Sequence, residues 1–349
     1  MHQGGVEHAA FEMAEYLAAA LPQSKTYVAS KGGSLLEKNY HFQHLTLPLH
    51  SKNPFTIFLN AFRLAKIIKK HNIDIVHARS RAPAWSAWLA CKMTGVPFVT
   101  TYHAAYKGRS FFKKFYNSIM ARGEKVIAIS HFIQNHVTFH CPLANVVLIY
   151  EGINTDFYQS KRAASAPVLF LPSRLSPLKG IHVAIKALAR LTPQYPEIKL
   201  LLMRVGKENY LQQIDHLIRA HQLEKHVRFI EPTPDLRPHY EEASIVLMTS
   251  VTPEALGRVS LEALSMQRLL IATNLGANPE ICIDGVTGFL VKPGSDKDLA
   301  DKINDCLMME EARRAKISQK GRAHVLQNFS KDYMHEKTIK LYQSLLLRK

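Results

Sequence analysis

No apolar run in this sequence approaches the roughly 18 residues a membrane-spanning helix needs, so no segment reads as a helical span. Cysteine is scarce. Cys91, Cys141, Cys282 and Cys306 are scattered without the paired spacing of zinc or redox sites and read as reduced thiols of a cytosolic protein. There is no H-E-x-x-H helix, no P-loop and no readable Ser-His-Asp arrangement, which removes the corresponding hydrolase and protease chemistries. The single D-x-D, Asp296-Lys297-Asp298, follows Pro293-Gly294-Ser295 and directly precedes a helical pattern. Capping and dipole complementarity account for it better than a metal does, so no metal site is assigned. Fixed-period repeats, low-complexity segments and recognisable nucleic-acid modules are also lacking.

Acidic charge is in short supply too. Lys and Arg number 45 against 28 Asp and Glu, a net charge of +17. The excess is concentrated in the first 150 residues, which hold 17 basic and 6 acidic side chains. A basic face implies an anionic partner: nucleic acid, acidic lipid headgroups or a phosphorylated substrate. Composition does not choose among them. The 349 residues, 47% hydrophobic and 21% charged, are enough for two domains with separate cores.

The chain is organised around residues 253–264, P-E-A-L-G-R-V-S-L-E-A-L. Residues 245–250 before it form a short apolar run that predicts a buried strand, and the pattern after Gly257 is helical. The order is strand, Pro-containing loop, glycine, helix. A helix that opens this way presents free N–H groups and a positive dipole end to a phosphate, and Gly257 permits close approach. Glu254 and Glu262 flank that mouth, roughly 12 Å apart if the segment is helical, and carboxylates accept hydrogen bonds from sugar hydroxyls. The ligand this suggests is a nucleotide sugar. The plainer alternative is a solvated helix on which both glutamates face water.

Around this stretch, strands and helices alternate, as parallel βαβ units require. Strands are expected at 25–30, 42–47, 74–78, 98–103, 125–130 and 146–150. A helix over 54–70 is expected to carry Phe55, Phe58, Leu59, Phe62 and Ala65 on one side, with Lys66, Lys69 and Lys70 elsewhere. After a polar linker at 156–166 the alternation restarts, with strands at 168–172, 199–203, 227–230 and 269–273. The fold class is α/β, two Rossmann-like halves.

Arg174 and Lys179 leave the end of the strand at 168–172, where open α/β sheets bind ligands, and two cations there suit a diphosphate. They also read as ordinary solvated loop charges. His103 ends a strand beside Thr100, Thr101 and Tyr102, a polar setting in which structural hydrogen bonding is the commoner role. Gly4-Gly5 precedes a helix and is a candidate phosphate cradle or simply a turn. Over residues 107–125, Phe111, Phe112, Phe115, Tyr116, Ile119 and Met120 recur at helical spacing among basic residues. This reads equally as a membrane-surface helix or a core-facing stripe.

Five motifs occur in order: G-G-V-E at 4–7, T-Y-H at 101–103, S-R-L-S-P-L-K-G at 173–180, the E-x7-E stretch, and D-G-V-T-G-F-L-V-K-P-G at 284–294. Together the chain resembles the retaining glycosyltransferases of family 4, over nearly its whole length. H-A-R-S-R-A-P-A-W at 77–85 is similar to a bacterial subset associated with lipopolysaccharide and other surface polysaccharides. The resemblance implies a GT-B fold: two Rossmann-like domains with parallel sheets facing across a cleft and C-terminal helices returning toward the first domain. The expected boundaries are 1–158 for the acceptor-side domain, 159–328 for the donor domain and 329–349 for a C-terminal helix.

The same resemblance implies a metal-independent hexosyltransferase with no cofactor, using a nucleoside-diphosphate sugar as co-substrate. Its acceptor would be an anionic lipid-linked molecule or a glycan, with no nucleic-acid partner. It implies a cytoplasmic location, with peripheral contact at the cytoplasmic face of the inner membrane as the further option. Arg174 and Lys179 would bind the diphosphate, Glu254 the donor sugar and Glu262 the ribose. Backbone at Gly257, Arg258 and Val259 would hold phosphate, with Gly4 and Gly5 facing it, and His103 would touch the sugar near the reacting carbon. Arg79, Arg81, Lys113 and Lys114 fall on the acceptor side. Ala104, Glu151 and Ala277 depart from the family pattern and leave donor identity and loop geometry open. A nucleotide-sugar epimerase or hydrolase of the same fold, and a non-catalytic anion binder, are the competing readings.

The helix after Gly4-Gly5 has no strand before it, whereas a doubly wound half has strand order 3-2-1-4 with its first strand central. The strands at 25–30 and 74–78 are therefore expected to flank an empty slot, and the N-terminal sheet to show a gap or a collapsed pairing. An apolar strand beginning roughly 8–12 residues earlier in the natural polypeptide, or its ancestor, would fill it. The 349-residue form is expected to be poorly stable and weakly active.

Overall fold

Apolar runs alternating with amphipathic helices build two α/β units, one of Met1–Tyr150 with Met334–Lys349, the other of Glu151–Tyr333. The computed structural model describes residues 5–37, 39–106, 108, 110–160 and 167–347. The division falls at Tyr150 rather than at residue 158, because residues 151–158 are tied into the second unit. The Ile153 N–H donates to the Phe329 carbonyl (2.9 Å), and the Tyr158 carbonyl accepts from Ser265 Oγ (2.6 Å) and Arg322 Nη1 (3.0 Å).

The first unit runs α1 (Gly5–Ala20), β1 (Tyr27–Ser30), β2 (Gln43–Thr46), α2 (Pro54–His71), β3 (Val76–Ala78), α3 (Arg81–Thr94) and β4 (Phe98–Tyr102). It continues with α4 (Phe111–Ser118), β5 (Lys125–Ala128), α5 (His131–His140) and β6 (Val146–Leu148). Its strands lie in two parallel sheets, β1-β2 and β3-β4-β5-β6. Among the described residues no strand joins β1 to β3, so the N-terminal sheet is broken at the expected place.

Asn53 starts α2 by accepting hydrogen bonds from the Phe55 and Thr56 N–H groups, with Pro54 in the first turn, and Asn72 ends it in the left-handed region at φ 49°. The face this helix buries is not the aromatic one. Ala61, Leu64, Ala65 and Ile68 are buried, whereas Phe55, Phe58, Leu59 and Phe62 are exposed. The small residues decide this: α2 lies against α3, itself rich in buried alanines (Ala84, Ala87, Ala90), closely enough for Ser86 Oγ to donate to the Ile57 carbonyl at 3.1 Å.

The helix expected over 107–125 is also shorter. It ends at Ser118 in a 3₁₀ turn, Ile119–Ala121, which turns Ile119 and Met120 into the core and leaves Phe111 and Phe112 about four-fifths exposed (77% and 82%). Lys107 and Arg109 lie outside the described residues.

The second unit contains β7 (Val168–Leu171), α6 (Ile181–Leu191), β8 (Lys199–Met203), α7 (Glu208–Ala220), β9 (Val227–Ile230), α8 (Arg237–Glu242) and β10 (Ile245–Met248). It continues through α9 (Arg258–Ser265), β11 (Leu269–Thr273), α10 (Asn278–Ile281), β12 (Phe289–Val291), α11 (Asp296–Met308) and α12 (Glu311–Asn328). Its six strands form one parallel sheet in the order β12-β11-β10-β7-β8-β9. β7, β10 and β11 are buried along their whole length, the unbroken apolar signature of a sheet covered on both faces. The strand β12 was not among those expected, being only three residues long.

The last helix, α13 (Lys331–Leu346), returns to the first unit from Met334 onward, where Met334, Leu341 and Leu345 pack against Val99, Ile127 and Ile149. No helix among the described residues is long and apolar enough to cross a membrane.

Gly180 ends the turn after β7 at φ +67°, and a Cβ there would sit 2.0 Å from the Thr249 carbonyl oxygen. Gly294 has a similar φ of +78° but open space around it. Gly294→Ala is expected to cost on the order of 1 kcal/mol from backbone strain alone, and Gly180→Ala distinctly more. Equal losses in urea denaturation would show that the turn does not depend on this approach.

Candidate functional site

In the second unit the strand order reverses between β7 and β10, which pair directly, and the crevice beyond the carboxyl ends of two such strands is where open α/β sheets bind ligands. The connections leaving these two strands carry the charged residues. After β7 the chain passes Arg174, which is exposed, and makes a 3₁₀ turn, Pro177–Lys179, opened by Ser176, whose side chain accepts from the Leu178 N–H. That turn is fastened to the end of β10. Thr249 Oγ1 donates to the Lys179 carbonyl (2.8 Å) and the Val251 N–H to the Leu178 carbonyl (2.9 Å).

The fastening brings Lys179 and Glu254 together across 75 residues of sequence. Lys179 Nζ lies 2.6 Å from Glu254 Oε1, both side chains are partly buried (28% and 22% exposed), and Ser250 Oγ donates to the same carboxylate oxygen. A charge-assisted bond of this length at a half-shielded position fixes both side chains. Glu254 is held from behind by Gly276, at φ +63°, where a Cβ would meet the Glu254 backbone at 2.5 Å, and by the Ala277 N–H donating to the Glu254 carbonyl (3.1 Å).

Gly257 stands at the mouth of α9 with no side-chain cap, so the first N–H groups of that helix stay available to an anion. A Cβ on Gly257 would come within 2.5 Å of Asn278 Oδ1, which Ser260 Oγ also contacts at 3.2 Å. Arg258 and Val259 form the first turn. One turn on, Glu262 is buried at 6% exposure and its two oxygens are engaged separately: Arg258 Nε donates to Oε1 and Tyr240 Oη to Oε2, each at 2.8 Å. The solvated reading of Glu262 is thereby excluded. Burial pushes the Tyr240 phenol well above its ordinary range, and the Glu262 carboxylate adds to that, so Tyr240 stays a donor.

Of the residues singled out in sequence, Lys179, Glu254, Gly257, Arg258, Val259 and Glu262 gather at this switch point, with Arg174 on the loop that leaves the same strand. Ser250, Tyr240, Gly276 and Asn278 were not singled out. Ser250 closes a predicted strand four residues before Glu254 and was within reach; nothing in the spacing links Tyr240 to Glu262. The D-x-D is structural: Asp296 accepts from Arg190 Nε (2.6 Å), and Asp298 accepts from the Lys292 N–H (2.7 Å) in the turn capped by Ser295.

In the first unit, His103 follows β4 and Arg79 follows β3, at the carboxyl ends of two paired strands. Arg79 interacts with the Tyr342 hydroxyl, which also bonds His77 Nδ1 (2.5 Å). His77 is held neutral by burial, with Arg79 and His103 adding to the effect. Arg81 bonds Asn117 Oδ1 (2.7 Å) and stacks over Tyr106 at 4.4 Å, an architectural role that leaves it little freedom to meet an acceptor. Lys113 and Lys114 are exposed on α4. Gly5 opens α1, and Gly4 lies outside the described residues.

Comparison with known proteins yields two family matches: "Glycosyltransferase Family 4" over residues 3–157 and "Glycosyl transferases group 1" over residues 153–324. A glycosyltransferase from Rickettsia africae is 33% identical, with a TM-score of 0.88 over 99% of this chain and 96% of that one. The Anabaena protein HepE, solved with UDP and glucose, is 24% identical with a TM-score of 0.81 over 98% and 96% of the two chains, a likeness of fold. N-acetyl-alpha-D-glucosaminyl L-malate synthase of Bacillus anthracis is 25% identical over 328 residues, 88% of this chain and 84% of its own length.

Tyr240→Phe leaves Glu262 Oε2 buried without its donor, at an expected cost of about 1–3 kcal/mol at neutral pH. A phenol whose pKa is raised on folding loses stability for the protein as pH rises past about 10, because only the unfolded chain then releases the proton. The stability gap between wild type and Tyr240→Phe should therefore narrow between neutral pH and about pH 11. A gap in urea denaturation that is absent at neutral pH, or that widens in alkali, would contradict this account of the buried pair.

Proposed function

The chain belongs to glycosyltransferase family 4, with two Rossmann-like domains of the GT-B fold, and on that premise we propose that it transfers a hexose from a nucleoside diphosphate with retention of configuration. The observation that carries the reading is the Lys179–Glu254 pair at the β7/β10 switch point, beside the uncapped mouth of α9. The ammonium group of Lys179 and the guanidinium of Arg174 supply positive charge for the departing diphosphate, and the first N–H groups of α9 add fixed dipoles. Such charge stabilisation is usually the largest single contribution to group transfer of this kind. Glu254 takes sugar hydroxyls and steers Lys179; Glu262, already held by Tyr240 and Arg258, offers a fixed acceptor for the ribose. No metal or cofactor enters this scheme.

The acceptor we propose is an anionic lipid-linked molecule or glycan of surface-polysaccharide synthesis, met at the cytoplasmic face of a membrane. The support is the charge of the first 150 residues together with the exposed Phe111, Phe112, Phe115, Lys113 and Lys114 of α4. An amphipathic basic surface of that composition binds anionic bilayers, each cation contributing about 1 kcal/mol.

Two outcomes are expected. Glu254→Gln and Lys179→Ala each lower kcat by about 10²–10³ while the melting temperature changes little, since each removes a charge that acts on the reacting end of the donor. Near wild-type turnover in both, with the cognate donor found by thermal shift across nucleotide sugars, would remove the site assignment. Reversing charge at Lys113 and Lys114 should weaken flotation with anionic liposomes by about tenfold or more; unchanged flotation removes α4 from the membrane contact.

A further inference from the structure

A chain of polar contacts in the first unit is centred on His77 of β3. The Tyr342 hydroxyl on α13 meets His77 Nδ1 at 2.5 Å, across 265 positions of sequence, with the two rings edge to face at 83°. The other imidazole nitrogen, Nε2, lies 2.7 Å from Thr101 Oγ1 on β4. Arg79, just beyond β3, hydrogen-bonds the same Tyr342 oxygen. The contact stands at the edge of the apolar seam that holds α13. There Met334, Leu341 and Leu345 pack on Val99, Ile127 and Ile149, with Tyr342, Ile75 and Val147 partly buried beside them.

These partners admit one arrangement of protons. A guanidinium only donates, so the Tyr342 oxygen accepts from Arg79 and its own O–H donates to His77 Nδ1. Nδ1 is then the bare nitrogen, and Nε2–H donates to Thr101 Oγ1. A proton added at Nδ1 would face the hydroxyl hydrogen and set a second positive charge near Arg79. Burial keeps the imidazole neutral, and the charges of Arg79 and of His103, which follows β4, act in the same sense. From α13 the ring is faced by Tyr342, whose phenol is pushed up to about 12 by burial. Two turns earlier on that helix stands His335, buried against Tyr16 of α1 with ring centres 4.3 Å apart.

We propose that the Tyr342–His77 bond is an acid-released latch: protonation of His77 at Nδ1 breaks it and frees α13 from the sheet β3-β4-β5-β6. The docked imidazole takes a proton less readily than a solvated one, whose ordinary value is 6.5. Release of the helix therefore takes up one proton below pH 6.5 and none above it. The latch is at full strength at neutral pH and beyond. It is lost as pH falls below 6.5, the release constant rising about tenfold per pH unit.

The test follows hydrogen exchange of the amides of residues 338–345 in the full chain between about pH 5 and 7.5, corrected for intrinsic exchange rates. In the unaltered chain, opening at these amides should grow about tenfold per pH unit below 6.5, while the β7 amides do not follow. His77→Asn places a non-titrating oxygen near the position of Nδ1 and should flatten the slope. Tyr342→Phe should raise opening about tenfold at neutral pH, and His335→Gln should keep the slope. A measurement that needs no variant is the NMR shift of the His77 Cε1–H. It should report a mostly neutral ring at pH 6.5, where an ordinary histidine is half protonated. A flat pH profile in the unaltered chain, or a half-protonated His77 at pH 6.5, would overturn the latch. So would a slope that persists in His77→Asn or vanishes in His335→Gln, or unchanged opening in Tyr342→Phe.

Discussion

The close approach of Gly180 to Thr249 is the constraint on which the candidate site depends. Only a residue without a Cβ allows the turn after β7 to lie against the end of β10. Once it does, the Leu178 and Lys179 carbonyls are satisfied by Val251 and Thr249, and the Lys179 side chain can reach Glu254. The charge pair follows from backbone contact, since two flexible side chains on independent loops would lose more rotamer entropy than a partly buried ion pair returns. Preorganisation of this kind is what a site that must stabilise developing charge requires.

A second layer makes the helix mouth rigid. Glu262 is buried on α9, and its carboxylate is shared between a cation one turn earlier and a phenol from α8. Asn278 closes the same corner, donating to the Thr273 carbonyl at 3.0 Å while its oxygen faces Gly257 and Ser260. The first turn of α9 is thus braced by side-chain contacts on two sides, while Gly257 brings no side-chain cap to its N–H groups. The family matches place the chain among the glycosyltransferases, in which such a fixed helix mouth meets the needs of charge stabilisation.

The first unit obeys a different rule, that small residues decide which face of a helix is buried. Alanines on α2 and α3 interlock, and the phenylalanines of α2 are turned outward. On α4 the 3₁₀ turn separates two buried residues from three exposed aromatic ones. These surfaces add an apolar component to a half of the molecule already rich in positive charge. Among the described residues its strands lie in two sheets, β1-β2 and β3-β4-β5-β6.

The periodicity of apolar residues sufficed to locate β8 and β11 at their full extents, because a parallel strand buried on both faces is an apolar run; the edge strand β9, interrupted by the exposed Arg228, was located from its alternation, and the other longer strands to within a few residues. Hydrogen-bonding residue types around strand ends and helix mouths were legible as well, which is how Lys179, Glu254, Gly257 and Glu262 came to be singled out, and so was the break between β1 and β3. Which of several apolar stripes meets the core was not legible: Phe55, Phe58 and Phe62 outrank Ala61 and Ala65 in hydrophobicity, yet close packing of helices rewards the smaller side chains. Nor was the division at Tyr150, which rests on hydrogen bonds from residues 151–158 to Ser265, Arg322 and Phe329. The partners of Glu262 and Glu254 belong to the same class. Sequence spacing carries no information about Tyr240 as a donor to Glu262 or about Lys179 as the partner of Glu254, because contacts between separate elements exist only once the sheet has set the ends of β7 and β10 side by side.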